Sequence, residues 1–435
     1  MLEPVTASRQ AALQIRWEVG RGLRLDVAMD RATRGLAPRD RAFVYELAFG
    51  VSRLRGRLDH LLSLRVRGGL ERLDPHILEV LRVGAYQLLY MGCVPPYAAV
   101  SQAVAQARAF SGKGAAGLVN AVLRAVAERG AEPESFPAFA DDLLAHLETW
   151  GSHPRWLLER WLARWPAEDV RRLVEADNRK SPLYLVPLDG DVEGAHARLV
   201  AAGIGAHPVG RGSLCLSLDG GTDPLAALGV LPSFIQDPAA NLVSRYADIP
   251  AGTKVADLCA APGGKALAAS AVASYTLAAD RSQVRMRMVR DNARRTGCPL
   301  GMVVADARHP PLREVDVVLL DVPCTGTGTL GRHPDGRWRL DAEALAEMVS
   351  LQGELLDAAA KLIPIGGFLI YSTCSLEAEE NEEQVSAFLA RRPDFALAPS
   401  GAVPDDLLDA EGHLVVLPQR HGFDGAFAAR LRRAS

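Results

Sequence analysis

No segment of this 435-residue chain approaches the roughly 18 consecutive apolar residues of a membrane helix, so a membrane span is not expected. The opening stretch, MLEPVTASRQAALQIRWEVGRG, lacks the basic, then apolar, then small-residue order of a secretory signal and reads as an amphipathic helix. A cytoplasmic location follows as an expectation. Internal repeats and low-complexity tracts are also missing. The six cysteines (Cys93, Cys215, Cys259, Cys298, Cys324 and Cys374) include no C-x-x-C or other close pair, so neither a zinc knuckle nor any other metal site is expected. In a reducing compartment scattered cysteines are ordinarily small buried hydrophobes, a description that suits at least three of these.

What remains is an ordinary globular composition, 49% hydrophobic and 23% charged, long enough for two or three domains. The net charge of −3 hides an uneven distribution. Residues 1–140 carry 19 Arg and Lys against 13 Asp and Glu, whereas residues 141–240 carry 9 against 14. A basic first third could follow phosphates, though a solvated helix surface explains the charge as well.

Apolar residues recur at helical spacing in RAFVYELAFGVSRLRGRLDHLLSL, HILEVLRVGAYQLLYM, AAVSQAVAQARAF and GLVNAVLRAVAE, with breakers at Gly68-Gly69, Pro95-Pro96 and Gly112-Lys113-Gly114. An all-helical bundle of five or more helices is expected over residues 1–143. HPRWLLERWLARWP follows, and its Trp156, Trp161 and Trp165 read more simply as packing than as nucleic-acid stacking. Strand-like PLYLVPL, a short helix near 194–202 and strand-like SLCLSL make a small α/β unit, 144–235. From Lys254 the texture alternates: the strands KVADLCA, SYTLAAD, GMVVAD, VDVVLLD and GGFLIYST are interleaved with helices, which predicts a doubly wound, Rossmann-like parallel sheet over 236–435 with ligands at the strands' carboxyl ends.

The first of these strands runs into a turn of small residues, Cys259, Ala260, Ala261, Pro262, Gly263, Gly264 and Lys265, that lets a ligand approach the backbone and ends on a helix amino-terminus. Ala266 after the lysine breaks the phosphate-loop pattern, so a ligand with a carboxylate and no phosphate fits, such as the methionine half of S-adenosylmethionine. Asp280 closes the second strand, placed for ribose hydroxyls, and Asp306 the third, placed for an adenine amino group. Each alone could be a helix cap; three strand ends in succession favour a ligand. Gly326-Thr327-Gly328-Thr329-Leu330-Gly331 satisfies G-x-G-x-x-G and would suggest a dinucleotide oxidoreductase, but Pro323 and Cys324 stand where the tight phosphate turn would begin.

The fourth strand ends in Asp321-Val322-Pro323-Cys324 and the fifth in Ser372-Thr373-Cys374-Ser375. Neighbouring strands would bring both thiols to one pocket. Carbon 5 of cytosine is a poor nucleophile until a thiolate adds to carbon 6, and a second thiol can assist the later departure; methylation of an amino group needs neither. A free thiol is only a few per cent ionised at neutral pH, so its surroundings matter.

These segments resemble the RNA cytosine-5 methyltransferases, in particular the RsmB/Sun family that acts on 16S (small-subunit) ribosomal RNA. DLCAAPGGK is similar to the family's cofactor loop, DVPCTGTGTLGRHPDGRW to its Asp-Pro-Cys segment, and YSTCSLEAEENEEQV to its Thr-Cys-Ser segment; FIQDPAANLV and LPQRHGFDGAFAARLRR match further stretches, and the first third resembles the NusB family of RNA-binding antitermination factors. The resemblance implies Cys374 as nucleophile, Cys324 as the group that promotes release, Asp321 against the target cytosine as well as near the cofactor, and Cys259–Lys265, Asp280 and Asp306 as holding S-adenosyl-L-methionine. Two residues depart from the family: Ala266 stands where threonine is usual, and Gly331 where a basic residue is usual. Arg332 and Arg337, with the helical domain, are expected to contact RNA phosphates, and the base must leave its stack, which costs least in single-stranded loops. Nothing demands more than a monomer. The alternative from another class is a non-enzymatic RNA-binding or antitermination factor with a vestigial methyltransferase fold.

Overall fold

A computed structural model describes residues 4–434, and the chain divides into two compact units. One comprises Met1–Lys180 together with Leu330–Asp341; the other comprises Ser181–Thr329 and Ala342–Ser435. Among the described residues no helix is long and apolar enough to cross a membrane.

The first unit is helical. Six helices, Ala7–Gly20, Leu25–Ala32, Pro38–Arg53, Arg55–Ser63, Pro75–Tyr90 and Pro96–Arg129, precede three more at Leu143–Thr149, Arg155–Arg164 and Ala167–Asp177. The amphipathic opening forms the first of these; its Met1–Glu3 lie outside the described residues. Local chemistry sets the ends. Asp74 accepts from the His76 N–H ahead of Pro75, an N-cap with proline at the first helical position. In Pro96–Arg129 the helical backbone breaks at Gly112, where φ is +77°, a conformation that glycine adopts without a Cβ penalty. The apolar stripes converge on one core that includes Ile15, Leu47, Val51, Leu62, Val80, Leu81, Ala103 and Leu123. Trp161 is fully buried, in agreement with the packing role expected for it.

Charge inside this unit is matched. Glu79 lies between Arg16, at 2.9 Å, and Arg82, at 2.5 Å, and Arg82 also holds Asp59 at 2.6 Å. Arg337, expected to face RNA, does not. It is 0% exposed, and its guanidinium donates to the carbonyls of Ser152, Asp177 and Leu330 and to Asn178 Oδ1 at 2.9–3.3 Å. Helix ends leave carbonyls without intrahelical partners, and a planar fork of donors satisfies several at once.

The second unit holds two sheets. The smaller, wholly antiparallel, comprises β1 (Tyr184–Pro187), β2 (Ala206–Pro208), β3 (Leu216–Leu218) and β4 (Ser233–Ile235) in the order β2-β3-β1-β4, with a helix at Val192–Ala201. The larger contains β5 (Lys254–Asp257), β6 (Tyr275–Asp280), β7 (Gly301–Val304), β8 (Val317–Asp321), β9 (Phe368–Thr373), β10 (Phe395–Leu397), β11 (Leu414–Val416) and β12 (Ala426–Arg433). Its order is β10-β12-β9-β8-β5-β6-β7, with β11 beside β12. The five expected strands, β5 to β9, run parallel. The sheet as a whole is mixed rather than parallel, because β12 returns antiparallel along β9 and carries β10 and β11 the same way.

Alternate residues of β8 serve different cores: Val318 and Leu320 pack with Leu355, Leu356, Tyr371 and Phe388, whereas Val317 and Leu319 pack with Val255, Ala269 and Ile370. Burial on both faces is why these strands read as unbroken apolar runs. The connections leave β5 in opposite directions toward β6 and β8, the switch point at which such sheets open a crevice at their carboxyl ends.

Candidate active site

Two loops meet at the ends of β8 and β9. In the parallel register Asp321 faces Ser372, so the chain beyond each strand starts level with the other. Cys324 Sγ and Cys374 Sγ lie 3.3 Å apart, and the Cys374 N–H points at Cys324 Sγ at 3.4 Å. Both residues are partly exposed, and the short separation of their sulfurs puts the thiols on the same side of the sheet. The hydrogen bond it shares with Cys374, then burial, pushes the Cys324 thiol well above its ordinary range. Asp321 Oδ2 pairs with Lys265 Nζ at 2.8 Å, and Ser372 Oγ donates to Asp321 Oδ1 at 2.7 Å. Burial works against the Lys265 charge, but Asp321 and Asp257 outweigh it and hold its pKa up.

The sequence GTGT is not a phosphate turn. Thr327–Thr329 forms a short 3-10 turn in which the Gly328 N–H donates to the Cys374 carbonyl at 2.9 Å and Gly425 N–H donates to the Gly328 carbonyl at 2.6 Å. A Cβ at Gly328 would lie 2.7 Å from Gly425 Cα and 2.8 Å from the Cys374 carbonyl oxygen. Glycine is required here to press the two cysteine loops together, not to admit a pyrophosphate.

The loop after β5 is held from both sides. Ala260 N–H donates to the Ala279 carbonyl at 2.9 Å and Gly263 N–H to the Ala260 carbonyl at 2.7 Å, with Gly263 at φ +113°. Arg285 and Asn292, on the helix Gln283–Thr296, donate to the carbonyls of Ala261 and Pro262. Ala260 and Ala261 are buried, as is Ala266 one turn on. Burial and the neighbouring Asp257 push the Cys259 thiol far up, which suits a packing residue of the loop and not a nucleophile.

Asp257, the last residue of β5, escaped the sequence reading as a site residue in its own right. It is 1% exposed; Oδ1 accepts from Cys259 N–H at 3.3 Å, and Oδ2 has no hydrogen-bond partner. Burial raises its pKa to about 7 against the pull of Lys265. Asp280 is buried at the end of β6, accepting from Ser282 N–H at 2.8 Å and pairing with Arg285 at 3.2 Å. Asp306 lies two residues past β7, more exposed, with both oxygens on the Arg308 guanidinium, which lowers its pKa to about 2. The structure thus sets Asp257, Asp280, Asp306, Asp321 and both thiols at one edge of the sheet. An orphaned buried carboxylate oxygen beside a loop of alanines and glycines is what a ligand bearing amino and hydroxyl donors requires.

A Rossmann-like sheet whose switch point carries such a loop, with paired thiols on the adjoining strands, has the make-up of a methyltransferase. Comparison with known proteins gives the branch. Residues 248–432 match the family model described as 16S rRNA methyltransferase RsmB/F, residues 6–128 match the NusB family, and residues 153–223 match the ferredoxin-like domain of RsmF/B-like methyltransferases. Ribosomal RNA small subunit methyltransferase B of Vibrio cholerae is 33% identical over 95% of this chain and 94% of its own. The putative methyltransferase Rv1407 of Mycobacterium tuberculosis is 34% identical over 92% of this chain and 90% of its own. The solved structure of PH0851 aligns with a TM-score of 0.80 at 26% identity, covering 99% of this chain and 100% of that one. The chain belongs to the RsmB/F family of methyltransferases. A NusB-like factor with a vestigial catalytic fold is not favoured, since both thiols and the whole cofactor loop are in place.

Proposed function

We propose that this chain methylates carbon 5 of a specific cytosine in small-subunit ribosomal RNA, through a covalent bond between Cys374 and carbon 6 of that base. The observation that carries the reading is the 3.3 Å approach of two thiols at neighbouring strand ends. Methyl transfer to an amino group has no use for such a pair.

S-adenosylmethionine, when bound, supplies the electrophilic methyl group. Cys259–Lys265, Asp280 and Asp306 would hold it, with Asp257 offering its unpartnered oxygen. The thiolate of Cys374 adds to carbon 6, forming the S–C bond and turning carbon 5 into a nucleophile. Asp321, oriented by Lys265 and Ser372, hydrogen-bonds the ring as charge moves into it. After carbon 5 is methylated, its proton must leave and the S–C bond must break. Cys324 is held protonated and in contact with Cys374 Sγ, so it can return a proton to the departing sulfur and accept the one lost by carbon 5.

We read the chain as three parts, 1–143 for RNA binding, 144–235 as a small α/β subdomain and 236–435 for catalysis; the separate family matches support this. The reading has it acting in the cytoplasm as a monomer, with ribosomal RNA as partner. The test is to incubate the protein with labelled S-adenosylmethionine and ribosomal RNA and map 5-methylcytosine. One labelled cytosine, and no covalent adduct from Cys374→Ala, is the expected result; an adduct from Cys374→Ala overturns the assignment of the nucleophile.

A further inference from the structure

Behind Cys324 lies a carboxylate that the chemistry above does not use. Glu380 is 0% exposed, and no cation pairs with it among the described residues. Taking a carboxylate out of water is costly unless its oxygens are fully hydrogen-bonded, so its partners show what it is there to hold. Oε1 accepts from the Thr325 N–H at 2.9 Å and from Gln352 Nε2 at 2.9 Å, and Oε2 accepts from the Thr325 hydroxyl. Gln352 Nε2 also donates to the Pro323 carbonyl at 3.0 Å. The residues immediately before and after Cys324 are therefore both tied to this one carboxylate, directly on one side and through a buried glutamine on the other. The buried Tyr371 hydroxyl fixes the far end, donating to the Glu380 carbonyl at 2.6 Å. A second set of bonds runs to the partner loop: Thr325 and Thr327 hydroxyls meet Ser375 Oγ at 3.1 and 3.3 Å, and Asn381, next to Glu380, donates to the Ser375 carbonyl at 2.9 Å.

We propose that Glu380 is a positioning residue that clamps the Cys324 loop so that the Cys324 thiol stays against Cys374. Its functional consequence, faster release of the methylated base, rests on the roles assigned to the two thiols above; the positioning itself does not. A carboxylate serves where a neutral side chain would serve less well, because one oxygen must accept from two donors while the other accepts from a third.

Two readouts on full-length protein separate these layers. Diamide removes two electrons and two protons from a vicinal thiol pair as the S–S bond forms, so the rate at which a Cys324–Cys374 disulfide appears, read by peptide mass mapping, reports juxtaposition without any RNA chemistry. Glu380→Ala should slow that rate about tenfold or more, and Glu380→Gln, which keeps an acceptor and the shape, should recover it to within about threefold. With RNA and methyl donor, Glu380→Ala should retain a covalent protein–RNA adduct on denaturing gels, as Cys324→Ala should. Should Glu380→Ala fail to fold, Thr325→Val removes one of the bonds and is expected to slow the disulfide two- to fivefold, roughly. A disulfide rate unchanged in Glu380→Ala, or in Thr325→Val where that variant stands in, overturns the proposal. If the rate falls while Cys324→Ala retains no adduct, the clamp stands and the release role of Cys324 falls.

Discussion

Glu79 in the helical unit and Asp257 at the end of β5 are both buried acids, at 6% and 1% exposure, yet their pKa values lie at about 2 and about 7. Burial pushes both upward. What separates them is company: Glu79 has two arginines in hydrogen-bond contact, whereas Asp257 feels Lys265 only at a distance and keeps one oxygen without a partner. Pairing rather than depth marks an acid as architecture, and the lack of a partner marks one as waiting for a ligand. The thiols extend the contrast, since each has chiefly the other for company.

The sharpest test of the contrast is chemical. Cys374→Ala should lower methylation of ribosomal RNA by roughly a thousandfold or more, measured as label transferred, with the folded state intact by circular dichroism. Next, Glu79→Ala should cost about 3–5 kcal/mol in urea unfolding, because the buried Arg16 loses its carboxylate partner while Arg82 keeps only Asp59. The sign with pH is definite. The Glu79 pKa is lower in the folded state, so its stabilisation is present above the ordinary carboxylate range near 4 and is lost as pH falls toward 2.

Asp257→Asn should behave in the opposite way. A folded pKa raised to about 7 means that the stability due to this group is full below about 4 and is lost as pH rises through 7. The amide should therefore raise the melting temperature at pH 8 by an amount equivalent to about 1–3 kcal/mol and leave it unchanged at pH 4. The same variant should bind S-adenosylmethionine about tenfold more weakly by calorimetry. A variant neither more stable at pH 8 nor weaker for the cofactor would break the comparison. The smallest effect is expected at Asp306→Ala, about threefold in cofactor affinity, because that carboxylate is only half-buried and already occupied by Arg308.

Much of this site could be read in the sequence because strand ends are chemically loud. Apolar runs that stop at Asp257, Asp280 and Asp321 declare the edge of a sheet, and Cys324 and Cys374 each follow a strand end within three residues. Quieter signals were lost. The strand β12, AFAARLRR, carries Arg430, whose guanidinium donates to the carbonyls of Ala247 and Ala398 and lies 3.7 Å from the Phe368 ring; a charged residue buried this way disguises a strand as surface. Arg337 was misjudged for the same reason, because a sequence cannot distinguish an arginine that meets phosphates from one that meets carbonyls. Glu380 sits in the acidic run EAEENEE, where the composition of a solvated stretch hides a carboxylate fixed in the interior.

The twelve residues Leu330–Asp341 belong to the helical unit although most of the other unit is encoded before them. A ribosome that has finished Lys180 still has about 150 residues to add before Arg337 exists, a delay of roughly 10–30 s at ordinary elongation rates. Until then the backbone oxygens of Ser152 and Asp177 await their donor, so the amino-terminal bundle reaches its finished form late in translation.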